Sequence, residues 1–128
     1  MANQGLKEET NFIFAICRES TSEFIGGIGL RVNKRFNRAE LGFWIAEPFW
    51  NNGFATEAVG KIIKFGFQEV ELNKIFATHL PNNPASGKVM AKNGMVKEGE
   101  LKDHVRKKEE YLNLIQYRIT ENEFLNNS

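Results

Sequence analysis

The stretch from Leu41 to Ala58, LGFWIAEPFWNNGFATEA, constrains this chain more than any other. Its first half alternates, with Leu41, Phe43 and Ile45 on one face of a strand and Glu40, Gly42 and Trp44 on the other. After Pro48 and Asn51-Asn52-Gly53 the period changes. Apolar residues then fall at 55, 58, 59, 62, 63, 67 and 70, which is one stripe of a helix. A strand that runs through a short Gly-containing turn into an amphipathic helix belongs to an α/β or α+β domain.

The flanking segments agree. Residues 12–18, 24–32 and 39–46 read as an antiparallel meander, and 74–80, 95–101 and 111–119 as further strands. Asn83-Pro84 opens a second helix, with Asn suited to the cap and Pro to the first turn, and Asn93-Gly94 closes it. Arg106, Lys107 and Lys108 fall in a charged loop between the last two strands. The order is β-β-β-α-β-α-β-β. Gly26, Gly27 and Gly29 inside a strand point to a bulge or a close backbone approach, and Gly60 and Gly66 to close packing on the first helix.

With 128 residues and no linker or repeat, one domain spanning 1–128 is expected. Lys and Arg number 17 against 16 Asp and Glu, so no strong field favours nucleic acid. RNA contact through Arg31, Lys34, Arg35, Arg38 and Arg106–Lys108 is the weaker reading, against solvated loops. The lone Cys17 excludes an intrachain disulfide and a Cys-based zinc site, and its apolar setting points to the core. Met1–Gly5 has no signal-peptide pattern and no stretch is long enough to span a bilayer, so the expected location is the cytoplasm.

Chemistry concentrates at the helix start. The first N–H groups of a helix have no intrahelical partner, and the dipole makes them attractive to anions. Gly53 lets backbone approach a bulky phosphate. A phosphate cradle and a plain strand-to-helix turn both fit these residues. Neither a Walker A loop nor a dinucleotide fingerprint is present, which leaves Trp50-x-x-Gly53-x-Ala55.

That segment resembles the acyl-CoA-binding motif of the GNAT superfamily of N-acetyltransferases, in the branch of the ribosomal-protein acetyltransferases RimJ and RimL. Residues 82–95, NNPASGKVMAKNGM, are similar to the family's Asn-x-x-Ser helix, and Tyr111-x-Asn113-x-x-x-Tyr117 to the C-terminal part of that branch. The resemblance implies a mixed, splayed sheet in which strands 39–46 and 74–80 part, with acetyl-CoA between them. It implies that backbone groups of Ile45, Ala46 and Glu47 meet the pantetheine arm. Amides of Asn52, Gly53, Phe54, Ala55 and Thr56 would hold the pyrophosphate. Asn83 and Ser86 match positions near the sulfur.

The implied reaction is acetyl transfer to a primary amine, on a protein N-terminus, ribosomal proteins included, or on a small molecule, without a metal. Glu40 or Glu47 could serve as base, with Glu109 and Glu110 as further carboxylates; each also reads as an ordinary solvated residue. Many superfamily members place an acidic Tyr where this chain has Met90, so Ser86 is the candidate to support the thiolate. A first-turn hydroxyl is its plain alternative. Tyr111 and His79 fit packing roles. The family's N-terminal strand and helix pair are not matched here. A fragment, a more open acceptor site or a wall from a second chain would each follow, and exposed apolar surface favours a homodimer. The competing function is an acyl-CoA-binding module with little transferase activity.

Overall fold

A computed structural model describes residues 9–127. The sequence reading at Met1–Gly5 and the outer ends of the range 1–128 lie outside the described residues. The elements are β1 (Glu9–Cys17), β2 (Phe24–Asn33), β3 (Arg38–Ile45), a 3-10 turn (Glu47–Phe49), α1 (Phe54–Gln68), β4 (Lys74–His79), α2 (Pro84–Lys92), β5 (Val96–Lys107), β6 (Glu110–Thr120) and α3 (Glu121–Asn126). The expected order holds, with α3 added. Its N-cap Thr120 accepts from the Glu123 N–H at 3.2 Å, while the Glu123 carboxylate accepts from the Thr120 N–H at 2.9 Å. This capping box is readable as Thr-x-x-Glu.

The strands form one mixed sheet in the order β1-β2-β3-β4-β6-β5. All neighbours are antiparallel except β3 and β4. That parallel pair holds only from Arg38–Glu40 against Lys74–Phe76, after which β3 and β4 separate. The sheet is therefore splayed at its centre.

One core cluster joins all the layers. Ile28 and Leu30 of β2, Leu41 of β3 and Ile75 of β4 pack with Val59, Ile62 and Ile63 of α1 and Met90 of α2. Phe124 of α3 stacks on Phe67 of α1 at 4.9 Å between ring centroids. The three helices thus share one side of the sheet. Ile75 and Val59 have no exposed surface, and each such side chain stabilises the fold by roughly 1.5–3 kcal/mol. Close packing at the glycines is as expected. A Cβ at Gly26 would run into the carbonyl oxygen of Trp44, and one at Gly66 would lie 2.8 Å from Cδ1 of Ile75.

Two local expectations are corrected. Arg106 and Lys107 are not in a loop: β5 continues through them, opposite Tyr111 and Glu110, and the hairpin turns at Lys108-Glu109. The strand survives because its pairing with β6 shifts register twice, between Lys97 and Gly99 and between Leu101 and Val105. The Asn113 side chain bridges the second shift. It accepts from the Asp103 N–H at 2.8 Å and donates to Glu100 at 2.9 Å. Cys17 is exposed rather than in the core, because β1 is an edge strand. Among the described residues no helix is long and apolar enough to cross a membrane.

Candidate active site

Where β3 and β4 part, a cavity of about 580 Å³ opens between the end of β3, the start of α1 and the first turns of α2. Its wall contains Ile45, Asn52, Gly53, Phe54, Ala55, Thr56, Asn83 and Ser86. Most of the residues matched to acyl-CoA binding are thus gathered around one space.

The α1 wall is built for backbone donors. Gly53 is the N-cap, with φ 79°, and it makes no side-chain cap bond. Its carbonyl accepts from the Glu57 N–H at 3.1 Å, so the helix is closed while the N–H groups ahead of Glu57 face its open end. A Cβ at Gly53 would meet nothing within 4 Å. The position needs glycine for its left-handed backbone rather than for space alone. Asn51 is also left-handed, at φ 64°, and Asn52 donates to the Trp50 carbonyl at 3.0 Å, so the turn is tied to itself.

The β3 wall departs from expectation. Ala46 donates to the Ile25 carbonyl at 2.8 Å, and its own carbonyl accepts from Phe49 at 2.9 Å. The Glu47 carbonyl accepts from the Trp50 N–H at 3.1 Å. Ala46 and Glu47 are therefore engaged in the 3-10 turn and stand outside the cavity wall. Ile45 does face the gap: with Ala46 bonded toward β2, the alternation of an antiparallel ladder turns Ile45 toward the side that β4 has left. Its carbonyl accepts from the Trp50 indole N–H at 2.6 Å.

On α2, Asn83 caps nothing with its side chain. It donates instead to Ser86 Oγ at 3.0 Å. The hydroxyl oxygen is thereby occupied as acceptor, and the Ser86 proton is left to point elsewhere. Lys88 and Lys92 also line the cavity. The sequence reading passed over them, although their i,i+4 spacing on a helix that opens with Asn83 and Ser86 marks them as one face. Asn93, just past α2, donates to the Thr56 carbonyl at 3.1 Å and to Val89 at 2.9 Å, which fixes α2 against the first turn of α1.

Glu40 lies outside the cavity wall. It occupies the last paired position before the strands separate, opposite Phe76. Alternation puts it on the face away from Leu41 and the helices, where it is half-buried and ion-paired with Arg31 at 2.6 Å. Glu109 and Glu110 lie at the far hairpin and are not brought to the site. Tyr111 is 61% exposed, against Arg106. His79 is buried beside Tyr117, with Nδ1 donating to the Leu80 carbonyl at 2.7 Å.

The family model for the GNAT acetyltransferase domain matches residues 1–96. This chain belongs to the GNAT acetyltransferase family. The uncharacterised N-acetyltransferase YoaA of Bacillus subtilis is 35% identical over 100 residues, covering 77% of this chain and 56% of that protein. The ribosomal protein uS5-alanine N-acetyltransferase of Escherichia coli is 28% identical over 107 residues, covering 82% and 55%. Such relatives accord with the RimJ/RimL-like branch. Among solved structures, a GNAT acetyltransferase from Bacillus anthracis superposes with a TM-score of 0.82 at 30% identity, over 86% of this chain and 66% of that one. A variant of the spermidine N-acetyltransferase SpeG from Vibrio cholerae shares the fold at a TM-score of 0.84 and 22% identity, over 98% and 74%. The chain spans little more than half the length of the two curated relatives named here, 56% and 55%.

Proposed function

We propose that this GNAT domain binds acetyl-CoA in the cavity between β3 and α2 and transfers the acetyl group to a primary amine. The observation that carries this reading is the convergence on one cavity of the α1 start at Gly53 and the Asn83–Ser86 pair. The donor set suits the co-substrate. Backbone N–H groups near Gly53 and the positive end of α1 favour the pyrophosphate. Lys88 and Lys92 add cationic charge for phosphate. Ile45 offers backbone groups, and Phe43 and Val89 apolar surface, to the pantetheine arm.

In the transfer, the amine nitrogen forms a bond to the thioester carbonyl carbon and the C–S bond breaks. Ser86, its oxygen held by Asn83, donates a hydrogen bond to the departing thiolate. Glu40, at the vertex of the splay and steadied by Arg31, takes the proton released by the amine as it approaches from the helix-free face. The names of relatives offer a ribosomal-protein N-terminal alanine and spermidine as two kinds of primary amine. The same reading makes the chain cytoplasmic, since a polyanionic thioester does not cross membranes unaided.

Titration calorimetry with acetyl-CoA tests the cofactor half, comparing the wild type with Gly53→Asp. Aspartate tolerates the left-handed backbone but sets a carboxylate where the pyrophosphate would lie. Binding by the wild type that the substitution abolishes is the expected result. A folded wild type that binds no acetyl-CoA overturns the reading. Turnover on a panel containing an alanine-initiated peptide and spermidine tests the other half; binding without acetylation of any amine would leave an acyl-CoA-binding module instead.

A further inference from the structure

The turn Trp50–Gly53 is bounded by two phenylalanines, Phe49 at the end of the 3-10 turn and Phe54 at the start of α1. Their rings meet edge-on at 6.1 Å between centroids. A third side chain covers both. The guanidinium of Arg18, just past β1, lies 5.8 Å from the Phe49 centroid and 5.4 Å from that of Phe54. Both rings line the cavity between β3 and α2, and Phe54 also lines a neighbouring groove that contains Arg18. An aromatic wall therefore stands between this cation and the start of the cavity at α1.

This placement does little for the fold itself. Arg18 Nε is shut off from solvent without a hydrogen-bond partner, the one buried side-chain polar atom so placed among the described residues. A buried donor without an acceptor carries its desolvation cost in full. The Glu23 carboxylate lies 3.8 Å from it, too far for a hydrogen bond. The two side chains are 41% and 55% exposed, so that ion pair contributes little. A cation beside the start of a helix also opposes the dipole of α1. A phosphate held at that helix start reverses the last effect. It also gives the charge a counter-ion across a wall that excludes water, where screening is weak.

We propose that Arg18 is a positioning residue for the phosphates of acetyl-CoA, set behind the turn by Phe49 and Phe54 and acting on the anion through its charge. The inference rests on the acetyl-CoA reading of the cavity. From Pro48 to Thr56 the chain carries no charged side chain, so the α1 wall has only backbone donors. Lys88 and Lys92 stand on the other wall, on α2. Arg18 supplies from behind the charge that the turn lacks. It draws the pyrophosphate onto the N–H groups ahead of Glu57 rather than toward α2. Aromatic faces suit the role, because a guanidinium stacked on them is oriented without an anionic acceptor that would neutralise it.

Titration calorimetry with acetyl-CoA, beside thermal melts without it, reads the result. Arg18→Met keeps an apolar stem on the two rings and removes the charge. Its affinity for acetyl-CoA is expected to fall about tenfold, with a melting temperature equal to or above that of the wild type. Arg18→Lys restores a charge at the same place and should recover most of the affinity. Unchanged affinity in Arg18→Met overturns the proposal. So does a loss that Arg18→Lys shares in full, or one matched by a lower melting temperature, since either assigns Arg18 to packing alone. A wild type that binds no acetyl-CoA overturns the cofactor reading itself, and this inference with it. If Arg18→Met fails to fold, Arg18→Gln takes its place in the same comparison.

Discussion

The carboxamide of Asn93 lies against Gly60, so close that a Cβ there would sit 2.8 Å from Asn93 Oδ1. The same side chain donates to Thr56 and Val89 and so joins the two helices that wall the cavity. Gly60→Ala sets two effects against each other. Alanine in a helix interior gains about 1 kcal/mol over glycine. Displacing Asn93 forfeits two hydrogen bonds of about 1 kcal/mol each. The net expectation is a loss of about 1 kcal/mol in chemical denaturation, with weaker acetyl-CoA binding. A stabilised Gly60→Ala would show that Asn93 yields freely.

Gly53 makes a different demand. Its φ of 79° is the constraint, since a Cβ would meet nothing. Gly53→Ala should cost roughly 1–2 kcal/mol of stability, and Gly53→Asn distinctly less, because asparagine visits the left-handed region more readily. Thermal melts of the pair separate backbone strain from steric exclusion. Equal losses would mean that the side chain meets an obstacle absent from this structure.

The Asn83–Ser86 pair yields a kinetic test. Ser86→Ala removes the donor proposed for the thiolate, and a fall in kcat of about 10²-fold with little change in KM is expected. Asn83→Asp leaves Ser86 in place but replaces its donor with an acceptor. The hydroxyl then turns its proton toward the carboxylate, and kcat should fall to a similar degree. An Asn83→Asp enzyme with wild-type kcat would remove Ser86 from the proposed transfer step.

Much of this site was legible because the change of period at Leu41–Ala58 and the Asn83-Pro84 helix start are local signals, carried by consecutive residues. What depends on pairing was not. Arg106 and Lys107 read as a loop because the β6 partner that holds them lies across a hairpin. Cys17 read as core because an apolar strand does not say that it will be the sheet's edge. Ala46 and Glu47 fell next to Ile45 in sequence, but the 3-10 turn engages their carbonyls and leaves Ile45 as the residue facing the gap. That Trp50 reaches back to Ile45 at 2.6 Å is a tertiary fact with no sequence signal beyond a tryptophan before a turn.

The last expectation concerns pH and lies away from the site. The Thr120 backbone N–H, then the Arg118 side chain at 2.8 Å, hold the Glu123 carboxyl below the ordinary glutamate value. A carboxyl depressed in the folded state binds fewer protons there than in the unfolded chain. Its contribution is therefore complete above the unfolded value of about 4.3 and is lost as pH falls through the folded value. Glu123→Gln should destabilise the protein at pH 7 by about 1 kcal/mol or less, since the pair is partly exposed. The gap between variant and wild type should close as the medium is acidified below about pH 4. Denaturation curves at stepped pH read it directly. A gap that stays constant with pH would assign the loss to the neutral geometry of the α3 cap rather than to the charge that Arg118 and Thr120 hold.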